Sequence, residues 1–544
     1  MSNFDSKTVN VGDLFSDDKF YKIPNYQRPF SWDADNFSDL INDTLHAARH
    51  NEYFLGTAVF YIDETYRIVV DGQQRLTSLL ILISCIRDSI KDENYKKELQ
   101  GFIIQKEQLL KQIPSRERLE VKDRDIFQNV VLAEGGTQQA LNPKDLTEPA
   151  NRYATAVEIF HEKLDKLPEQ EKIEYANYLI QKCVIIYLQA DNFEEAFRLF
   201  EIVNDRGKQL RRIDVLKSVN LSPENVPSNA VRDQLARKWE ENEEVLGEDI
   251  FENIFFLMRL ALVKEKPQGD LLAEFRDKVF GKDLIKPGEP FIQSVSEYVD
   301  LYRKIFLDRS YLQGEEEDFR FQSLMFIMDK EFRASEWRSC ILSFCNKFGR
   351  ESFYEFCLAI EKLFLTHWVD SVRKDERYAD YTTVLNLIDA SKTPQPVIDN
   401  IPSNNDRIIA ELTSSDVYGK GYAKYVLLRL ELTAAEFDQP RLFEAKSIEH
   451  VLPQNPDEGS DWVKLGDEEQ RGDVVNKLGN LVLLSKGRNS SAGNREFVEK
   501  KATYLKNRVS DYPRSIQVLQ QDEWGLELIL ARTTEAASRV IENP

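Results

Sequence analysis

Ser447-Ile448-Glu449-His450-Val451-Leu452-Pro453-Gln454 and Asn476-Lys477-Leu478-Gly479-Asn480-Leu481-Val482-Leu483-Leu484-Ser485-Lys486-Gly487-Arg488-Asn489 are the stretches around which the chain is organised. The first is a short apolar run ending at Pro453, which suits a strand that the proline stops. Leu481 to Leu484 is a second β-prone run, broken at Gly487. From Asn489 to Leu505, the spacing of Phe497, Ala502 and Leu505 predicts a helix with one apolar face. Two strands followed by a helix is therefore the expected local fold. The first strand carries an acid beside a histidine, and the helix entrance carries an asparagine whose amide oxygen can face the same point.

A carboxylate and an amide oxygen are hard ligands, suited to Mg²⁺ or Mn²⁺ rather than zinc. An imidazole beside such a metal can take a proton from water while the metal stabilises the scissile phosphate. The segment resembles the ββα-metal motif of HNH endonucleases, with the last histidine of the motif replaced by Asn489. That resemblance implies His450 as general base, Glu449 and Asn489 as metal ligands, and Asn480 as the central asparagine that braces the hairpin loop. The nine-residue spacing from Asn480 to Asn489 matches the family pattern. The chain departs from it at Glu449, where many HNH enzymes have aspartate. Of the five histidines, only His450 has such company. His46 and His50 lie four apart on a predicted helix, with no third ligand apparent in the sequence nearby.

Composition bounds the reading. A chain of 544 residues forms two to four domains, and its apolar and charged fractions are those of an ordinary soluble protein. The longest apolar run, around Leu79 to Ile86, is too short to span a bilayer, and the N-terminus has neither a basic start nor an apolar core. Cys85, Cys183, Cys340, Cys345 and Cys357 are odd in number, include no C-x-x-C pair and fall mostly in apolar helical patterns. A cytoplasmic protein without structural zinc is expected. The net charge of −21 argues against indiscriminate coating of nucleic acid. Charge is local, however. Between Lys477 and Arg508, eight basic residues face only Glu496 and Glu499. Lys486, Arg488, Arg495 and Lys500 are the expected DNA-binding residues of this stretch.

Towards the N-terminus, Tyr21-Lys22-Ile23-Pro24-Asn25-Tyr26-Gln27-Arg28-Pro29-Phe30-Ser31-Trp32 sets aromatic rings beside an arginine and a glutamine. Such a loop is either core packing or a base-stacking, phosphate-reading surface. Asp33 to His50 reads as an amphipathic helix. Phe54 to Ile62 and Tyr66 to Val70 read as a hairpin that runs into Asp71-Gly72-Gln73-Gln74-Arg75 and a helix from Leu79 to Arg87. A strand, a glycine turn and a helix N-terminus make an anion site. No Walker A sequence occurs in the chain.

The Ile-Pro-x-Tyr-Gln-Arg-x-Phe-x-Trp and Asp-Gly-Gln-Gln-Arg-Leu stretches, with Asn204-Asp205-Arg206-Gly207-Lys208 and the residues to Lys217, resemble the N-terminal domain of GmrSD-type modification-dependent restriction enzymes. That domain is a ParB-like α/β fold associated with nucleotide binding and hydrolysis and with sensing of modified DNA. The resemblance implies Asp71, Gly72, Gln73, Gln74, Arg75, Arg28, Asn204 and Gly207 as nucleotide-binding residues, and Tyr26 as part of a DNA-sensing surface. The alternative reading is that Asp71 and Gly72 only shape a turn, and that Asn204 to Gly207 only cap one helix and start another.

The first twenty residues read as a short helix and a loop. Glu93 to Gln112 and Asn151 to Ile180 carry helical periodicity, and Lys182 to Leu188 reads as a buried strand. From about Val231 to Ser391 helix follows helix, with stripes such as Phe251, Ile254, Phe255 and Met258. Thr393 to Asp406 reads as a linker, and Trp524 to Ile541 as a final helix. The expected architecture is mixed and predominantly α. It comprises a ParB-like domain (residues 1–222), a helical connector (223–400) and a helical domain holding the ββα-metal motif (401–544). The expected function is a nucleoside-triphosphate-regulated, Mg²⁺- or Mn²⁺-dependent endonuclease of prokaryotic phage defence. It would act on modified foreign DNA, with no membrane partner and with homo-oligomerisation left open. The competing readings are a nucleotide-gated DNA-binding regulator with a degenerate HNH domain, and an interaction scaffold.

Overall fold

The computed structural model describes residues 4–16, 19–24, 27, 29–48, 52–63, 65–107, 110, 114–139, 148–192, 195–196, 198–200, 212–444, 447–484, 494–506 and 512–544. Helix predominates among them. The chain divides into two compact units, Met1–Trp239 with Pro287–Glu289, and Glu240–Lys286 with Pro290–Pro544.

The first unit is laid on the expected hairpin. Its strands are β1 (Phe4–Asn10), β2 (Tyr21–Lys22), β3 (Tyr53–Asp63), β4 (Tyr66–Asp71), β5 (Ile104–Gln105), β6 (Arg116–Glu117), β7 (Leu119–Glu120) and β8 (Cys183–Ala190). Six of them form one mixed sheet in the order β1-β8-β3-β4-β2-β7, while β5 and β6 pair separately. β3 is central, antiparallel to β4 and parallel to β8. Of the first twenty residues, the expected short helix is Val11–Leu14, but the strand β1 before it was not expected. Phe4–Asn10 has little β signal of its own and becomes a strand by pairing antiparallel with β8, far along the chain. The helical periodicity over Asn151 to Ile180 becomes two helices, Glu148–Leu164 and Glu169–Lys182, with Pro168 at the cap of the second.

Asp33 opens the helix Ala34–Ala47 through a capping box with Asn36. The helix Gln73–Ser89 starts six residues earlier than expected and runs through the core. Leu79 to Ile83 are all fully buried, each contributing about 2 kcal/mol of hydrophobic stabilisation. Its start is fixed by Gly72, at φ +95°, where an added Cβ would lie 2.8 Å from that of Ala58 on β3. Only glycine lets this turn lie against the strand.

In the second unit the expected helices are present, among them Glu248–Val263, Asp318–Glu331, Trp337–Phe348, Phe353–Val369 and Lys374–Ala390. The aromatic stripes are core. Phe332 stacks on Phe364 with ring centroids 3.7 Å apart, and Phe344 on Phe356 at 3.9 Å. The expected linker is instead packed structure: Gln395–Asp399 is a short helix, and Val397 and Ile401 are buried. Asn404 then caps the helix Asn405–Ser414. The closing helix is Leu526–Arg539.

Replacing Gly72 with valine should cost about 2–3 kcal/mol, from the positive φ and the clash with Ala58. Urea unfolding of the full chain measures it, and a loss below about 0.5 kcal/mol would contradict the tight turn.

Candidate active site

Two short strands, β9 (Ser447–His450) and β10 (Leu481–Leu484), pair antiparallel with Leu481 opposite His450 and Val482 opposite Glu449. The helix that follows is Phe497–Lys506. Its buried face is made by Phe497 and Lys500, whereas Ala502 is exposed, contrary to the expected stripe.

Asn480 closes the hairpin as expected of a bracing residue. It is fully buried. Its Oδ1 accepts from Leu452 N at 2.8 Å and from Trp524 Nε1 at 3.1 Å, and its Nδ2 donates to Leu452 O at 2.9 Å and Val475 O at 2.7 Å. Asn480 O also accepts from Val451 N at 3.0 Å. The bonds to Val451 and Leu452 hold the chain just after His450 in place, and those to Val475 and Trp524 fix Asn480 itself.

Neighbouring residues on a strand point to opposite faces. Glu449 stands across from Val482, which belongs to the apolar cluster of Trp462, Phe497 and Trp524. His450 turns the other way. Its ring meets Tyr418 edge to face at 4.3 Å, and its Nε2 lies 3.1 Å from Asn476 Oδ1. The same oxygen accepts from Gln454 Nε2 at 3.1 Å. An amide oxygen only accepts, so the imidazole carries its proton on Nε2 and leaves Nδ1 as the basic nitrogen. Burial lowers the His450 pKa below its ordinary value; the Asn476 bond opposes this, and the Lys500 charge adds to it. The ring is therefore neutral at pH 7. Asn476, Gln454 and Tyr418 were not anticipated from sequence as partners of His450. The first two lie in the quoted stretches, but nothing local marks Tyr418.

Lys500 corrects an expectation. It was placed on a phosphate-facing surface, yet its exposure is 0%. Its Nζ donates to His450 O at 2.7 Å and Val451 O at 2.9 Å, and lies 3.4 Å from Glu449 Oε1. Glu449 itself is 4% exposed. Burial raises its pKa, with Lys500 opposing; burial lowers that of Lys500, with Glu449 opposing. A divalent cation needs hard donors on an open face. Glu449 faces the core and already answers a buried ammonium, so it does not fit the ligand role that the resemblance implied. No cluster of three His, Cys, Asp or Glu side chains that could hold a metal occurs among the described residues. Of the other residues expected here, Arg495 is exposed, while Lys486, Arg488 and Asn489 lie outside the described residues.

In the first unit, Asp71 ends β4 and Gln73–Arg75 form the first turn of the helix Gln73–Ser89. Gln74 is buried and holds the aromatic loop. Its Oε1 accepts from Ser31 N at 2.7 Å and Trp32 N at 3.2 Å, and its Nε2 donates to Pro29 O at 3.2 Å. Arg152 Nη1 adds a bond to Ser31 O at 2.7 Å. Arg75 Nη1 donates to Thr57 O at 2.8 Å, beside the irregular pairing of β3 at Gly56. Burial lowers the Arg75 pKa and the charge of Asp71 opposes that. Gln73 and Gln74 line a shallow cleft with Phe30, Thr77, Lys122, Asp123 and Tyr153. Tyr26, Arg28, Asn204 and Gly207 lie outside the described residues.

Both ends of the chain match models of one class of enzyme, the restriction endonucleases. Residues 11–221 match the N-terminal domain of the GmrSD restriction endonuclease, and residues 403–538 match the C-terminal domain of GmrSD restriction endonucleases. The chain belongs to the GmrSD restriction endonuclease family and carries both domains in one polypeptide. Restriction of foreign DNA in phage defence follows from that membership. No curated protein matches the chain. Among the described residues, no helix is long and apolar enough to cross a membrane.

Replacing Asn480 with alanine leaves Leu452, Val475 and Trp524 with unanswered buried groups and should cost roughly 3 kcal/mol or more. Denaturant unfolding measures this, and a change within about 0.5 kcal/mol would show that the loop does not depend on Asn480.

Proposed function

We propose that this restriction endonuclease cuts DNA through an HNH-type hairpin and helix in which His450 is the general base. The observation that carries the reading is a histidine at a strand end whose Nε2 lies 3.1 Å from Asn476 Oδ1, an oxygen that also accepts from Gln454; with Nε2 donating there, Nδ1 is the basic nitrogen. In the reaction, His450 Nδ1 takes a proton from water, the water oxygen attacks phosphorus, and the bond to the leaving oxygen breaks, that oxygen taking a proton from solvent. Tyr418 and Asn476 hold the ring, and Asn480 holds the strand that bears it. Mg²⁺ or Mn²⁺ is the cofactor of this reading and supplies positive charge to the scissile phosphate when bound.

The N-terminal domain binds and hydrolyses a nucleoside triphosphate at the Asp71–Arg75 turn and recognises modified DNA. Gly72 offers no side-chain cap to the helix Gln73–Ser89, and a helix start of this kind favours phosphate through its N–H groups and dipole. Nucleotide turnover controls cutting. A second reading, a nucleotide-gated DNA-binding regulator with a degenerate nuclease, draws support from the engagement of Glu449 by Lys500.

The test is cleavage of plasmid and of modified and unmodified phage DNA, with Mg²⁺ or Mn²⁺ and with or without each nucleoside triphosphate. His450→Ala should lower the cutting rate by roughly 10²- to 10⁴-fold, and Asp71→Ala should remove only the nucleotide response. DNA binding without cutting by the wild type under any of these conditions would favour the regulator.

A further inference from the structure

An acid next to a base invites a metal, yet the chemistry around Glu449 accounts for it otherwise. We propose that Glu449 and Lys500 form an internal strut that positions His450, and that Glu449 is not a metal ligand of this enzyme. The inference rests on the reading of His450 as general base.

Lys500 meets three consecutive residues at the end of β9. Its ammonium has three hydrogens, and three acceptors surround it: Glu449 Oε1 at 3.4 Å, His450 O at 2.7 Å and Val451 O at 2.9 Å. The two carbonyls fix the backbone on which the His450 side chain is mounted. From the loop before β10, Asn480 binds the next groups along, Val451 N and Leu452 N. The peptide that carries His450 is thus gripped from two sides, by a cation from the helix Phe497–Lys506 and by an amide from the loop before β10.

A fully buried ammonium without a counter-charge is strongly destabilising, and removing one member of such a pair leaves the other uncompensated. Glu449 supplies the counter-charge. The register aims it at the same core face as Val482, away from the His450 ring. A cation bound to Glu449 would be drawn under the hairpin and would force Lys500 off the carbonyls that hold His450. The same burial removes Lys500 from the DNA surface, so it acts on the reaction only through His450, as a positioning residue.

The experiment uses the full chain as wild type, Glu449→Gln, Lys500→Met, the double variant and His450→Ala. It reads thermal unfolding, Mn²⁺ binding by titration calorimetry with the metal alone, and plasmid nicking over a series of Mn²⁺ and DNA concentrations. Each single charge removal should lower Tm, and the double variant should recover most of that loss. The single variants should lower kcat tenfold or more, while KM for DNA and the Mn²⁺ affinity move less than twofold. Mn²⁺ affinity weakened tenfold or more in Glu449→Gln would overturn the proposal, as would a raised KM for DNA with a shallower salt dependence in Lys500→Met. Additive Tm losses would also overturn it. If Lys500→Met does not fold, Lys500→Arg, which keeps the charge and the donors, should retain more kcat than Glu449→Gln. Nicking that survives in His450→Ala sinks the general-base reading instead, and the Tm coupling then still decides the pair.

Discussion

A ribbon of two strands with four residues each is too small to hold itself together in water, and that constraint organises the C-terminal region. The hairpin of β9 and β10 is held from every side by buried polar side chains whose partners are its own backbone groups. Asn480 ties the loop before β10 to the exit of β9. Arg514 donates to Leu478 O and Leu481 O, both at 3.0 Å, and its own N–H donates to Glu431 at 2.6 Å. Burial pushes the Arg514 guanidinium down to about 9 and the Glu431 carboxyl up to about 7. Gly479 lies so close to the helix Leu526–Arg539 that an added Cβ would sit 2.1 Å from Ile529 O. His450 is therefore mounted on a frame in which several side chains must be correct together.

That frame reaches into the helices before it. The helix Ala423–Thr433 carries Tyr425 and Arg429, which meet the buried Glu361 at 2.6 and 2.8 Å. Glu431 on the same helix grips the Arg514 segment. Breaking a buried pair of this kind by removing one partner costs roughly 3–5 kcal/mol. The helical middle, in which sequence shows no chemistry of its own, thus anchors the helix whose Glu431 grips the segment holding the β9–β10 hairpin.

Much of this was legible because the deciding signals are local. The β-rich runs Phe54–Ile62 and Tyr66–Val70 and the Gly-Asn-Leu run at the start of β10 each act within a few residues, and strands form over them; β9 ends at His450, short of Pro453, because Val451 N and Leu452 N turn to Asn480. What escaped depends on partners distant in the chain. Phe4–Asn10 is a strand only because β8 receives it. Lys500 looked like a surface cation because it sits in a basic run; its burial depends on Glu449, half a hundred residues earlier, which the side-chain pattern of its own helix does not reveal. Tyr418 reaches His450 through folding alone. In the N-terminal domain the motif residues divide by task in a way that sequence cannot show. Gln74 is engaged with the backbone of the aromatic loop, whereas Gln73 lines the neighbouring cleft.

The central claim is that His450 stands ready as a neutral base with Nδ1 free. The most direct measurement is nitrogen NMR of histidine-labelled full chain at pH 7, with the His450 signals assigned by their loss in His450→Gln. The account predicts a neutral ring protonated on Nε2. An imidazolium at that pH, or a neutral ring protonated on Nδ1, would contradict it.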